Sequence, residues 1–184
     1  MTAKALFFDV FGTLVDWRSG VAREAERILP RFGIASLAED VARNLNLAWH
    51  RLDAWPDVPG GMARLKRRCK LAPVSNGNIS LMVDLARRNN IPWDAILGAE
   101  TAGDYKPKPR VYLAACAALD LPPGDCMMVA AHTNDLLAAA KCGLRTGHIA
   151  RPNERGPDTG EAAPKAPVDV AASSLEDLAG KLGT

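Results

Sequence analysis

The chain has 184 residues, of which 23 are basic and 21 acidic, and its formal net charge at neutral pH is +2. This near balance gives no reason to expect a nucleic acid or an anionic membrane surface as a partner. Hydrophobic residues make up 48% of the chain, an ordinary share for one globular domain with a small accessory piece, and the longest apolar runs are too short to cross a membrane.

The N-terminus and the cysteines indicate the expected compartment. The chain opens directly into a strand-like run, without the charged, apolar and small-residue series of a signal peptide. Its four cysteines are scattered, so they form no CxxC pair and no His/Cys cluster with zinc spacing. We therefore expect a cytoplasmic protein whose reduced thiols pack in its core.

The first third of the chain predicts one strand and two helices. The apolar run at residues 5–8 predicts a buried strand that ends at Asp9. Apolar residues recur at helical spacing over residues 19–30. A capping-box pattern opens a second predicted helix, at residues 36–51. Prolines and glycines at residues 56–61 then interrupt the pattern.

The remainder of the chain alternates between helical and strand patterns. Helices are predicted at residues 62–69, 79–89, 109–119, 135–142 and 173–182, and strands at residues 71–74, 95–97, 126–131, 145–149 and 168–170. Residues 151–167 are rich in proline, glycine and charge and predict a loop. Strands separated by helices indicate an α/β fold, in which a parallel sheet has right-handed crossovers and helices on both faces.

Polar side chains follow four of the predicted strands. They are Asp9, the segment Ser75-Asn76-Gly77-Asn78, the segment Asp104-Tyr105-Lys106 and the segment His132-Thr133-Asn134-Asp135. In an open parallel sheet, ligands bind beyond the carboxyl ends of the strands. Packing does not require so many polar groups at one edge, so the sequence predicts a functional site there.

The same four segments resemble the four motifs of the haloacid dehalogenase superfamily. Asp9-Val10-Phe11-Gly12-Thr13 matches the first motif, DxxGT, Ser75-Asn76-Gly77 the second, Lys106-Pro107 the third and Asp135 the fourth. Four motifs in order are a far more specific signal than DxxGT by itself. The resemblance implies a Rossmann-like haloacid dehalogenase core at residues 1–14 and 57–184, with a small helical cap at residues 15–56.

Within the superfamily, the stretches FFDVFGTLVDWR, PVSNGN, GDYKPKPRVY and VAAHTND are similar to the type II L-2-haloacid dehalogenases. Phosphatases of the superfamily place a second aspartate where this chain has Phe11, and that aspartate protonates the leaving group and helps to hold magnesium. Phe11 can do neither, whereas a halide leaves readily without a proton. The resemblance therefore implies a hydrolase that cleaves the carbon–halogen bond of a short 2-haloalkanoic acid without a metal or another cofactor.

The implied mechanism has two steps and uses residues of all four motifs. Asp9 attacks the carbon that bears the halogen, and water then hydrolyses the resulting ester at the aspartyl carbonyl. Lys106 keeps Asp9 ionised, and Asp135 pairs with Lys106 and helps to orient the water. The residues implied in holding the nucleophile or the substrate are Phe11, Thr13, Ser75, Asn76, Tyr112 and His132.

Two of these residues have further interpretations. Tyr112 matches a tyrosine of the family's site, but it is equally typical of a packing residue. His132 stands where the family carries asparagine, and Ala130 where it carries serine. The imidazole of His132 could donate to the substrate, assist the hydrolytic water or pack against Asp135.

The predicted cap is shorter than the family's cap, which carries an arginine implied in binding the departing halide or the substrate carboxylate. None of Arg18, Arg23, Arg43 and Arg51 matches that position. A short cap would leave the site more exposed to water and weaken its electrostatic stabilisation.

Three alternative functions stay open: another hydrolase of the superfamily acting on a small carboxylate, a magnesium-dependent phosphatase, or a form with little activity. Related enzymes are often dimers, so the resemblance also implies a homodimer.

Overall fold

The computed structural model describes residues 3–28 and 44–184. The predicted helix at residues 36–51 therefore lies partly outside the described residues. Its described end is helical at residues 44–48, which we name α2, and continues into a 3-10 turn at Trp49–Arg51. Within the two described ranges, no helix combines the length and the apolar character that a membrane span needs.

Six parallel strands form one sheet in the order β3-β2-β1-β4-β5-β6. The strands are β1 Ala5–Phe8, β2 Lys70–Ser75, β3 Leu97–Gly98, β4 Cys126–Ala130, β5 Arg145–Ile149 and β6 Val170–Ala172. Phe8, at the end of β1, lies beside Pro73 of β2 and Val129 of β4. The strand order reverses between β1 and β4, and this is the point at which α/β sheets bind ligands. Asp9 follows β1 directly, so it lies there.

The helices that accompany the strands are α1 Trp17–Ile28, α2, α3 Val58–Leu65, α4 Ile79–Asn89, α5 Ala99–Ala102, α6 Pro109–Ala118, α7 Thr133–Lys141 and α8 Leu175–Lys181. α3 begins before its predicted start at residue 62, because Pro59 is tolerated in the first turn of a helix. The Asn78 side chain caps α4 by accepting from the N–H of Leu81. This cap fixes the direction of the chain just after the polar segment that follows β2.

Helices cover both faces of the sheet and divide the core into two halves. Leu6 and Phe8 of β1 belong to the core that includes α3, α4 and α8, whereas Ala5 and Phe7 belong to the core that includes α6 and α7. All four side chains are fully buried, which explains why β1 is an uninterrupted apolar run. Burying one phenylalanine side chain contributes roughly 1.5–3 kcal/mol to the stability of the fold. The packing of β1 therefore fixes the position of the aspartate that follows it.

The last strand and one short helix differ from the predicted elements. The strand expected at residues 168–170 is instead β6, which starts at Val170. Asp169 does not extend it backwards, because its backbone N–H donates to the side-chain oxygen of Thr146 at 3.0 Å, while its own Oδ2 accepts from the N–H and the hydroxyl of Thr146 at 2.8 and 2.9 Å. α5 was not predicted, since four residues are too few to show a helical period.

Gly98 allows β3 to approach β2 closely. Its φ is +127°, and a Cβ there would lie 2.3 Å from the backbone oxygen of Ser75. We expect Gly98→Ala to lower the free energy of unfolding, measured by urea denaturation, by about 2–4 kcal/mol, because neither the backbone angle nor the backbone clash can relax cheaply.

The matched control is Gly124→Ala. A Cβ at Gly124 would meet no atom within 4 Å, so this change should alter the free energy of unfolding by less than about 1 kcal/mol. Equal losses in the two variants would contradict the assignment of a special backbone requirement to Gly98.

Candidate active site

The loop after β1 holds Asp9 in a buried, polar environment. Thr13 Oγ1 donates to Oδ2 of Asp9 at 2.8 Å and accepts from the backbone N–H of Ala131 at 2.8 Å. Gly12 has a φ of +85°, and a Cβ there would lie 2.2 Å from Oε1 of Glu154. The DxxGT pattern thus has a local explanation, because glycine permits the turn and threonine then reaches back to the aspartate.

Lys106 bridges two carboxylates. Its Nζ lies 2.9 Å from Oδ1 of Asp9 and 2.6 Å from Oδ2 of Asp135, and only 9% of its side chain is exposed. The Tyr112 hydroxyl donates to Oδ1 of Asp135 at 2.5 Å. Asn76 holds the lysine backbone, since its Oδ1 accepts from the Lys106 N–H at 2.8 Å and its Nδ2 donates to the Lys106 carbonyl at 3.3 Å. Residues of the four motifs therefore meet in one cluster.

His132 precedes α7 and lies between two carboxylates. Its Nδ1 is 3.3 Å from Oδ2 of Asp9, and its Nε2 is 2.9 Å from Oε2 of Glu154. Trp17 Nε1 donates to the other oxygen of Glu154 at 3.1 Å. These partners favour a role for His132 at Asp9 over packing against Asp135.

Sequence reasoning missed Glu154 and Arg151, because residues 151–167 were predicted only as a loop. Both side chains are buried. Arg151 Nε donates to the Thr13 carbonyl at 2.9 Å, and its Nη2 lies 2.9 Å from Oδ2 of Asp57. One signal could have found them: the loop follows β5, so it starts at the same edge of the sheet as the motifs, and its charged residues are candidates for the site.

The charges around Asp9 set the protonation states of the cluster. Burial would raise the pKa of Asp9, but the Lys106 ammonium and His132 hold that pKa well below its usual range. Burial would lower the pKa of Lys106, but Asp9 and Asp135 raise it above its usual value. Hydrogen bonds to Asp9 and Glu154 raise the pKa of His132 to about 10. At neutral pH, Asp9 is therefore an anion that faces two cations.

Asp135 differs from Asp9 although Lys106 contacts both. Burial raises the pKa of Asp135 above its usual value and outweighs the effect of Lys106. Burial and the neighbouring Asp135 also raise the pKa of the Tyr112 hydroxyl, which therefore stays a donor. Two carboxylates whose pKa values move in opposite directions are typical of sites that assign them different tasks.

Comparison with known proteins identifies the family. A family model described as haloacid dehalogenase-like hydrolase matches residues 23–143. The chain belongs to this family. It is 30% identical to (S)-2-haloacid dehalogenase 1 of Pseudomonas sp. (strain CBS-3) over 148 residues, which cover 79% of this chain and 65% of that protein. The chain thus spans slightly less than two thirds of this relative's length.

Solved structures of haloacid dehalogenases share the fold of this family member along nearly its whole length. The L-2-haloacid dehalogenase PA0810 superposes with a TM-score of 0.92 and 37% identity, and 98% of each chain is covered. The defluorinating L-2-haloacid dehalogenase Rha0230 gives a TM-score of 0.90 and 32% identity, with 99% of this chain and 96% of that chain covered. These similarities confirm the predicted superfamily and the predicted Rossmann-like α/β core.

Ser75 and Asn76 take different positions in this haloacid dehalogenase-like hydrolase. Ser75 is 1% exposed, and its Oγ accepts from the N–H of Gly77 at 3.1 Å. Asn76 uses both atoms of its amide on the backbone of Lys106. Asn76 therefore contacts the lysine of the third motif through both amide atoms.

Two cavities open at this edge of the haloacid dehalogenase-like core. Asp9, Lys106, Pro107, His132, Asn134 and Asp135 line one of about 300 Å³. The second, of about 430 Å³, is lined by Phe11, Asn46, Trp49, His50, Asn76, Gly77, Asn78 and Leu81. The Phe11 ring meets Trp49 edge-on at 5.1 Å between centroids, and Trp17 stacks on Trp49 at 5.9 Å. An apolar wall and a charged pocket thus meet beside the nucleophile, on the scale of a small-molecule site.

Proposed function

We propose that this protein hydrolyses the carbon–halogen bond of a short 2-haloalkanoic acid through an aspartyl ester on Asp9. The observation that carries the proposal is an ionised carboxylate with both oxygens held, one by Lys106 and the other by Thr13 and His132. Two residues further on, Phe11 offers neither an acid nor a metal ligand. The relatives that are named as 2-haloacid dehalogenases support the same reaction.

In the first step, Asp9 displaces the halide. One carboxylate oxygen attacks the carbon that bears the halogen from the side opposite the halogen, and the halide leaves with the bonding electron pair. No proton is transferred, because a halide is a stable anion. Lys106 and Thr13 orient the carboxylate for this attack.

The other site residues have supporting tasks in this proposal. The Ser75 hydroxyl binds the substrate carboxylate, and Phe11 packs against the apolar part of the substrate. Asn76 positions Lys106 through its backbone, and Tyr112 fixes Asp135 by the 2.5 Å hydrogen bond. The proposal requires neither a metal nor another cofactor.

The proposal also keeps the predicted division into a core at residues 1–14 and 57–184 and a short cap at residues 15–56. The chain segments that enter and leave this cap lie side by side: Val15 bridges to Ala54 in antiparallel fashion, and the Trp55 N–H donates to the Leu14 carbonyl at 2.9 Å. This pairing supports a division between the core and a separate insert. A homodimer and a cytoplasmic location stay predictions.

The test is halide release from (S)-2-chloropropionate, followed by ion chromatography, together with chiral analysis of the product. We expect one 2-hydroxy acid per halide, with inverted configuration, because displacement in line inverts the carbon. Magnesium-dependent hydrolysis of p-nitrophenyl phosphate, with no halide released from any 2-halo acid, would overturn the proposal in favour of a phosphatase.

A further inference from the structure

Two backbone carbonyls of the loop after β1 are held by side chains from other parts of the chain. The Gly12 carbonyl accepts from Nε1 of Trp55 at 3.0 Å, and the Thr13 carbonyl accepts from Nε of Arg151 at 2.9 Å. Trp55 lies in the segment that returns from the predicted cap, whereas Arg151 lies in the loop after β5. Two segments that are distant in sequence therefore meet at the turn that follows Asp9.

Arg151 joins these two segments. Its Nη2 lies 2.9 Å from Oδ2 of Asp57, and its Cζ lies over the Trp55 ring, 5.5 Å from the centroid. Only 8% of the Arg151 side chain and 15% of the Asp57 side chain are exposed, so solvent screens this pair little. The N–H of Leu175 also donates to Oδ2 of Asp57 at 2.7 Å and anchors the carboxylate. The guanidinium is therefore held on several sides in one orientation.

We propose that Arg151 is a positioning residue for the first step of the reaction, because it holds the Thr13 carbonyl and thereby fixes the hydrogen bond that orients Asp9. This inference rests on the proposed function and assigns a task to a residue that acts without touching the substrate.

Thr13 transmits the effect of Arg151 to the nucleophile. Its Oγ1 donates to Oδ2 of Asp9 and accepts from the N–H of Ala131, both at 2.8 Å. The fully buried Thr13 side chain can reach both partners only while its own backbone keeps its place. Without the guanidinium, the Thr13 peptide is free to rotate and the Asp9 carboxylate can turn away from the line of attack. A displacement of about 1 Å at a reacting group can cost on the order of 100-fold in rate.

Arg151 acts through Thr13 and not on the substrate. Within the described residues, it lines neither of the two cavities beside Asp9. Its Nε and Nη2 are engaged by Thr13 and Asp57, and the Trp55 ring covers one face of the guanidinium. Arg151 therefore does not replace the cap arginine that the family resemblance implies.

The contacts of Arg151 require the shape of a guanidinium as well as its charge. A lysine carries the same charge, but one ammonium on a flexible stem cannot contact the Thr13 carbonyl, Asp57 and the Trp55 ring as the planar guanidinium does. Arg151→Lys therefore leaves a cation beside the buried Asp57, so the fold should persist, while the hold on Thr13 weakens. This variant carries the test even if Arg151→Met, which leaves Asp57 without a cation, does not fold.

The test measures halide release from (S)-2-chloropropionate in a single turnover, with saturating enzyme in excess over the substrate. The rate constant then reports the first step in folded enzyme, whereas a loss of folded protein lowers only the amount of active enzyme. We expect a rate constant about tenfold lower in Arg151→Lys and about 100-fold lower in Arg151→Met, with the enzyme concentration at half saturation changed by less than about threefold. Arg87→Met, on the exposed surface of α4, is the control and should keep the wild-type rate constant.

A double-mutant cycle with Thr13→Val tests the route through Thr13. Valine has nearly the size of threonine but lacks the hydroxyl that reaches Asp9. In this background Arg151→Lys should lower the rate constant by less than about twofold, because the hydrogen bond that Arg151 supports is already absent. An effect of Arg151 that does not pass through Thr13 would instead give the same tenfold loss in both backgrounds.

The outcomes separate this inference from the proposed function. If the wild type releases halide but Arg151→Lys keeps its rate constant, or slows the wild type and Thr13→Val equally, then Arg151 does not position the nucleophile through Thr13 and the inference is overturned. If the wild type releases no halide from any 2-halo acid, the proposed function itself fails, and this inference fails with it.

Discussion

Replacing Asp9 by asparagine should abolish halide release, with a loss of about a thousandfold or more in kcat. Lys106 and Thr13 donate to different oxygens of Asp9, so the single amide oxygen of asparagine can accept from only one of them, but asparagine keeps the size and shape of the side chain and the fold should persist. A neutral amide is, however, too weak a nucleophile to displace a halide. Halide release under saturating substrate measures the loss, and mass spectrometry should detect no covalent adduct on the variant.

The control for this change is Asp120→Asn. Asp120 is an exposed residue with a φ of +54° that follows α6, and asparagine tolerates that backbone angle well. This variant should keep wild-type kcat. Normal halide release by Asp9→Asn would refute the assignment of Asp9 as nucleophile, whereas loss of activity in both variants would point to a general sensitivity of the fold.

Replacing Lys106 by methionine should lower both activity and stability. It leaves two buried carboxylates without their shared cation, and breaking such a pair typically costs about 3–5 kcal/mol of unfolding free energy. Lys106 is one cause of the low pKa of Asp9, so in the variant burial raises that pKa and protonates the nucleophile at higher pH. We expect at least about a hundredfold lower kcat/KM at neutral pH and an acidic limb of the pH profile that moves to higher pH.

The direction of the stability change with pH follows from the same contacts. Because its folded-state pKa is lowered, ionised Asp9 stabilises the wild-type fold above its ordinary pKa of 3.8, and this contribution is lost as pH falls through the lower folded value. Without Lys106 the folded pKa of Asp9 rises, so this contribution should shrink. Urea denaturation at several pH values measures this effect. The free energy of unfolding should differ between wild type and variant near neutral pH, and this difference should become smaller in acid.

Lys108→Met provides the matched control. The Lys108 side chain is 67% exposed and forms a surface pair with Asp104. Such pairs contribute less than about 1 kcal/mol, so kcat/KM, its pH profile and the denaturation midpoint should stay close to those of the wild type. An unchanged acidic limb in Lys106→Met would contradict the electrostatic role of Lys106.

Much of the site could be predicted because its residues follow strands. The bounds of α4 and β5 agree with the predicted residues 79–89 and 145–149. The positions of Asp9, Lys106 and Asp135 follow from local apolar runs combined with the rule that parallel strands end at one edge. The structure brings these three side chains together at 2.6–2.9 Å. The same reasoning placed His132 at this edge but left its partners open.

Other features could not be predicted, because they depend on contacts between distant parts of the chain. Glu154 reaches Trp17 across 137 positions of sequence, and no local pattern marks either residue as a partner of the other. The start of β6 depends on the pairing of Asp169 with Thr146 from another strand. The predicted cap includes residues 29–43, which lie outside the described ranges, so its arrangement stays a prediction.

The sequence by itself determined the parallel sheet, the carboxylate at the end of β1 and the apolar residue two positions later, because strand patterns and short motifs are local properties. Only the tertiary structure determined the pKa values, and therefore the protonation states, of the charged groups in the site. Asp9 and Asp135 are the same residue type, but the pKa of Asp9 is lowered and that of Asp135 is raised. Lys106 contacts both carboxylates, but His132 further lowers the pKa of Asp9, whereas burial and the charge of Asp9 raise the pKa of Asp135. These contacts exist only once the chain is folded.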